Sequence, residues 1–206
     1  RRDASLGLHR ILEESREELP PRVRRLLADA PIFPDRNGAL RSLTGNNRAL
    51  IAADDDIAVL LPHAPWMAPD VAELEYVRDL GTPPVGPANI ARALLLEEGQ
   101  QLVDPFDGAS LRRAYGYLIA HAASVPSPVV ERLGQAPIWF DEEGQMRSLA
   151  ELRRRPRSEA LAALYAAWDL FPLIEAEGNA SALRFAEAFR LDHKVPVPGT
   201  ETLVAD

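Results

Sequence analysis

The stretch that decides the fold is Ala30–Leu43, APIFPDRNGALRSL, because it returns as Ala136–Leu149, APIWFDEEGQMRSL. Ala-Pro-Ile, an aromatic residue, Asp, Gly and Arg-Ser-Leu recur in register at a constant offset (136 − 30 = 106). A long fixed period is the signature of an internal duplication and takes precedence over local pattern reading. Within each copy, Asp35 to Gly38 and Asp141 to Gly144 supply a side-chain acceptor and a glycine for a tight reversal, so each stretch is expected to be a β-hairpin.

The duplication extends upstream of the hairpins. Leu6, Leu8, Ile11 and Leu12 share one face of an amphipathic helix over 4–19 whose other positions carry Glu13, Glu14, Glu17 and Glu18. Pro20-Pro21 interrupts it and opens a second short helix that ends near Ala28. Ala109-Ser110-Leu111 repeats Ala4-Ser5-Leu6, Asp107 is a candidate N-cap, and a helix is expected to about Ala123. Pro126, Val129 and Leu133 match Pro20, Val23 and Leu27 at the same offset of 106.

Downstream, the copies diverge. In the first, Thr44 to Asn47 reads as a polar loop, Ile57 to Leu61 as a buried strand, Pro69 to Leu80 as one helix, and Gly86 to Glu98 as another after an extended Thr82 to Val85. In the second, Ser148 to Glu151 fits a capping box that would feed a helix at once, and helices are expected over 158–169 and 180–191. Pro196-Val197, followed by a helix opening at Gly199 to Asp206, repeats Pro84-Val85 and the helix after it. The expected architecture is α+β and mostly helical. It has two tandem copies of a helix, short helix, β-hairpin and helix unit, residues 1–106 and 107–206, packed side by side as a repeat array. The start at Arg1 and the helix-like opening at the end lead to the expectation of a fragment from a longer, multidomain polypeptide.

Composition narrows the chemistry. There are no cysteines, which removes disulfides, thiolate metal sites and cysteine nucleophiles together. A net charge of −8 disfavours non-specific attraction to nucleic acid or anionic membrane, and no apolar run reaches the length of a membrane span. His9, His63, His121 and His193 stand apart without metal-ligand spacing, and Asp54 to Asp56 are consecutive rather than alternating as calcium ligands are. No P-loop, GxGxxG or GxSxG motif is present. The sequence therefore offers no catalytic, cofactor-binding or metal residues and implies no cofactor. The recurring Arg41 and Arg147, each followed by serine, are the shared residues able to touch an anion, and Arg153, Arg154 and Arg155 form the one basic cluster. All five are candidate interaction residues.

The hairpin APIFPDRNGALRSL together with LGTPPVGPANIARALL (Leu80 to Leu95) resembles the repeat segments that follow the nucleotide-binding domain of sacsin-like proteins. In that family an ATPase module related to the ninety-kilodalton heat-shock chaperone precedes segments with a proline-hydrophobic hairpin and an LGv helix junction. The family's ATP-site helix and loops have no counterpart here. The resemblance implies a non-catalytic, chaperone-associated, cytoplasmic region of a larger ATPase that contacts protein clients or other domains of its own polypeptide. Helices leading into a hairpin also describe a winged helix, so a nucleic-acid-binding module reading through Arg153 to Arg155 is the alternative. A hydrolase with its site divided between this chain and another segment is the third.

Overall fold

The computed structural model describes residues 2–46, 48–95, 108–168 and 171–198. Among them are ten α-helices, three short 3-10 turns and two antiparallel two-stranded sheets, an α+β architecture dominated by helix. The chain folds as two compact units, the first reaching Gly86 and the second beginning at Pro87.

The first unit holds α1 (Arg2–Glu14), α2 (Pro21–Asp29), the strands β1 (Phe33–Pro34) and β2 (Leu40–Arg41), α3 (Asp55–Leu60), α4 (Pro69–Ala72) and α5 (Glu75–Asp79). Pro20 and Pro21 do what their chemistry dictates: Pro20 is extended at the N-cap and Pro21 occupies the first helical turn of α2, where a missing amide hydrogen costs nothing. The core gathers Leu12, Phe33, Leu43, Met67, Val71, Tyr76 and Val77. The expected strand over Ile57 to Leu61 is instead the helix α3. Asp54 caps it, its Oδ1 accepting from the Ile57 amide at 2.8 Å, and Asp55 and Asp56 lie in the first turn, where carboxylates oppose the helix dipole. The single helix expected over 69–80 is broken: Leu74 is extended, and Glu13 from α1 accepts from the amides of Glu75 at 3.3 Å and Tyr76 at 2.9 Å, which caps α5 separately. A tertiary carboxylate thus starts a helix that the periodicity had run together.

The second unit holds α6 (Pro87–Leu94), α7 (Gly108–Ala120), α8 (Ser127–Leu133), β3 (Trp139–Phe140), β4 (Met146–Arg147), α9 (Glu159–Trp168) and α10 (Ala182–Ala188). Its centre is aromatic. Tyr115 stacks on Phe185 at 4.4 Å between ring centroids, and Trp139 lies 4.7 Å from the same ring. Helix α6 precedes the second hairpin copy by a long way in sequence, yet it packs on α7, on α8 and on the 3-10 turn Ala122–Ser124 between them. Glu151 makes one of the two capping-box bonds, accepting from the Ser148 amide at 2.8 Å, but the Ser148 hydroxyl donates to the same carboxylate at 2.6 Å instead of accepting from the Glu151 amide, and no helix follows. Residues 148–151 close a turn, and the helix starts at Glu159. Asp107, Asn47, residues 96–98, Asp169 and the segment 199–206 lie outside the described residues.

The two hairpins share register as well as sequence. Phe33 pairs with Arg41 and Pro34 with Leu40; Trp139 pairs with Arg147 and Phe140 with Met146, every position displaced by 106. Each hairpin receives a third extended segment on the outer side of its first strand. The Arg36 amide donates to the Trp66 carbonyl at 2.8 Å and the Ala68 amide to the Pro34 carbonyl at 2.9 Å. In the second unit the Glu142 amide donates to Leu173 and the Glu175 amide to Phe140, both at 2.9 Å. That segment also pairs in parallel with Leu50 in one unit and with Arg153 in the other. The duplicated element is therefore a hairpin with two additional bridges, and the chain between them differs in length from copy to copy, which hides the correspondence from a fixed-offset reading.

Candidate interaction site

The recurring Asp and Arg form the same closed device in both units. Asp35 is buried. Its Oδ1 accepts from the amides of Asn37 and Ala39, each at 2.9 Å, and its Oδ2 accepts from Arg41 Nε at 2.7 Å. In the second unit the buried Asp141 accepts from the amides of Glu143 at 3.1 Å and Gln145 at 2.7 Å, and from Arg147 Nε at 2.7 Å. Gly38 and Gly144 carry the positive φ angles of 82° and 79° that the reversal demands. Burial penalises the Asp35 carboxylate, but the Arg41 hydrogen bond and the two amides outweigh it and hold its pKa below the ordinary value. Arg41 and Arg147, expected as anion contacts, thus spend their Nε protons inside the fold. A carboxylate six residues before an arginine, in both copies, was the sequence signal for this pairing.

A second duplicated contact was not visible in the sequence. His9 in α1 and Tyr115 in α7 are 106 residues apart, and both reach the carbonyl of the hairpin isoleucine. His9 Nε2 lies 3.1 Å from the Ile32 carbonyl, and the Tyr115 hydroxyl donates to the Ile138 carbonyl. A carbonyl only accepts, so His9 carries its proton on Nε2, and Nδ1 then accepts from the Tyr76 hydroxyl. Burial holds the His9 pKa below its ordinary value, against smaller opposing effects of the Ile32 carbonyl and Asp70.

The basic cluster does not present itself as a patch. Arg153 donates from its guanidinium to the carbonyls of Ala150 and Leu152, both at 2.9 Å, and sits over the Phe171 ring. Arg154 pairs with Asp192 at 2.7 Å, and Arg155 lies 3.7 Å from Glu142. Among the described residues no group of His, Asp and Glu is arranged to hold a metal ion, and no helix is long and apolar enough to cross a membrane.

What remains open in the first unit is a cleft of about 820 Å³ below the hairpin. Its walls are the segment 51–55, the third extended segment with Trp66, the start of α4, and the link 81–84 after α5. Arg36 and Arg78 line it and make no ion pair with any described residue; Asp55 and Glu73 stand among the same walls. The matching place in the second unit is a smaller cavity of about 360 Å³, where Glu142 stands at the position of Arg36 and Leu173 at that of Trp66. Tyr165 and Phe171, with ring centroids 5.9 Å apart, occupy part of its wall. The backbone frame is common to both units, while size and charge at its mouth are not. No protein family matches this sequence, and neither the curated proteins nor the solved structures include one similar to it.

Proposed function

We propose that this chain is a non-catalytic protein-interaction or scaffold region of a larger sacsin-like, chaperone-type ATPase, and that the first unit's cleft receives an extended polypeptide segment of a client or of another domain. The observation that carries the reading is the contrast between what recurs and what does not. The duplicated polar residues are consumed in closing hairpins, whereas the open cleft carries two cations with no ionic partner among the described residues, Arg36 and Arg78, and the second unit has Glu142 in place of Arg36. Arginines flanking a cleft that Pro69, Pro83 and Pro84 also line suit a segment that offers carboxylates and apolar side chains, and mixed charge in the walls sets its direction.

The test is a panel of extended peptides that vary in charge, followed through the fluorescence of the tryptophans, one of which is Trp66. Acidic-apolar peptides are expected to bind, with affinity about tenfold weaker for Arg36→Glu, on the order of 1.4 kcal/mol. Binding indifferent to Arg36→Glu and Arg78→Glu excludes the cleft. The chain alone is expected to turn over no ATP; hydrolysis removed by a point change within it would overturn the non-catalytic reading.

A further inference from the structure

At the offset of 106, the two helices that precede each hairpin carry one apolar face in two different surroundings. On α7 and α8, Ala114, Tyr117 and Val129 are buried, with Tyr117 at 7% and Val129 at 6% exposure. Their counterparts on α1 and α2 are Leu8, Ile11 and Val23, with Ile11 at 60% and Val23 at 37% exposure, and Leu26 on α2 is open as well. At the three paired positions the sequence is non-charged and largely apolar in both copies, while Leu26, at the edge of the face, stands where the second copy has Arg132. Among the described residues only the second copy covers the face.

The cover is α6. It lies against α7, α8 and the turn between them and buries Ile90, Ala91 and Leu94. Among the described residues α1 packs on α5, and no helix packs on α2 as closely as α6 packs on α8. In chain order, α6 follows the extended segment that ends the first copy, where Val85 pairs in parallel with Ala52, and it is spent on the helices that open the second. The closing helix of one repeat is therefore the lid of the next. A run of exposed apolar side chains at helical spacing on a unit whose twin is sealed identifies its missing occupant by the twin.

We infer that the face formed by Leu8, Ile11, Val23 and Leu26 is the seat of a helix of the α6 type donated by another repeat of this kind. That helix is short, opened by proline, and carries apolar residues at the positions of Ile90, Ala91 and Leu94. The contact is helix in groove, with the donor's three apolar residues filling the space between α1 and α2. The inference rests on the protein-interaction reading and names one partner surface within it, separate from the cleft.

The experiment titrates the whole chain with a labelled, end-capped peptide of the sequence 84–95, read by fluorescence anisotropy and by amide shifts in NMR. Saturable binding is expected, with the largest shifts around residues 8, 11, 23 and 26. Affinity should fall at least about tenfold for Ile11→Glu, for Val23→Glu and for a peptide bearing Ile90→Glu, and should not change for Arg36→Glu. Both chain positions are solvent-exposed, so the variants are expected to melt as the parent does, which separates lost binding from lost folding. No saturation up to about 1 mM, or binding indifferent to Ile11→Glu, overturns the inference. Self-association of the chain that Ile11→Glu abolishes, with no peptide bound, also overturns it, since the occupant would then be a whole second copy. Peptide binding at this face without any ligand in the cleft removes the cleft alone; ligands in the cleft without peptide binding here remove this inference alone.

Discussion

Asp35 and Asp141 sit where three donors converge, and neither has water to fall back on. Removing one deprives two amides and a guanidinium of their shared acceptor, so Asp35→Ala should cost about 1–3 kcal/mol, measured by urea denaturation. Because its folded pKa lies below the ordinary carboxylate value, the stability Asp35 contributes is fully present above that ordinary value and is lost as the pH falls from there through the lower, folded one. His9 works in the same direction at higher pH. Its folded pKa is lowered, so the unfolded chain takes up a proton first as the solution is acidified below about pH 6.5, and stability declines from there. The second unit solves the same problem with Tyr115 beside Phe185. His9→Tyr combined with Tyr76→Phe should transplant that solution, and the acid-sensitive part of the urea midpoint between about pH 6.5 and 5 should disappear, whereas His9→Tyr alone leaves two hydroxyls in competition.

At the level of elements, helix starts in this protein are set by carboxylates, some local and some distant. Asp54 is local, and Asp54→Ala should weaken α3 by about 1 kcal/mol, visible as faster amide exchange at Ile57 and Ala58 before any change elsewhere. Glu13 is distant, 62 residues from Glu75, and its cap explains why α4 and α5 are separate although their apolar spacing reads as one helix. Glu151 shows the reverse: its side chain accepts from the Ser148 amide as a capping residue would, yet the Arg153 amide is taken by the Pro172 carbonyl and the chain turns into a bridge instead. A cap motif permits a helix but does not compel one when a strand partner competes for the same amides. The hairpins, by contrast, were legible because Asp, Gly and Arg at fixed spacing define the turn without help from the rest of the chain.

At the scale of the whole molecule, the sequence copies divide near residue 106 and the packed units divide after Gly86, and α6 is what lies between the two boundaries. A fragment beginning at Pro87 is therefore expected to melt at higher temperature than one beginning at Asp107, which would expose the faces of Tyr117 and Val129; equal melting would show that α6 adds nothing to the second unit. The amino-acid order by itself determined the duplication, the two hairpins, and the helical, cysteine-free character of the chain, because these depend on turn chemistry and on periodicities within a few residues. Tertiary structure alone decided which unit α6 belongs to, where α5 begins, that His9 and Tyr115 hold corresponding carbonyls, and that Arg154 pairs with Asp192. Each of those outcomes depends on groups brought together from dozens of residues apart, and a linear pattern carries no measure of that distance.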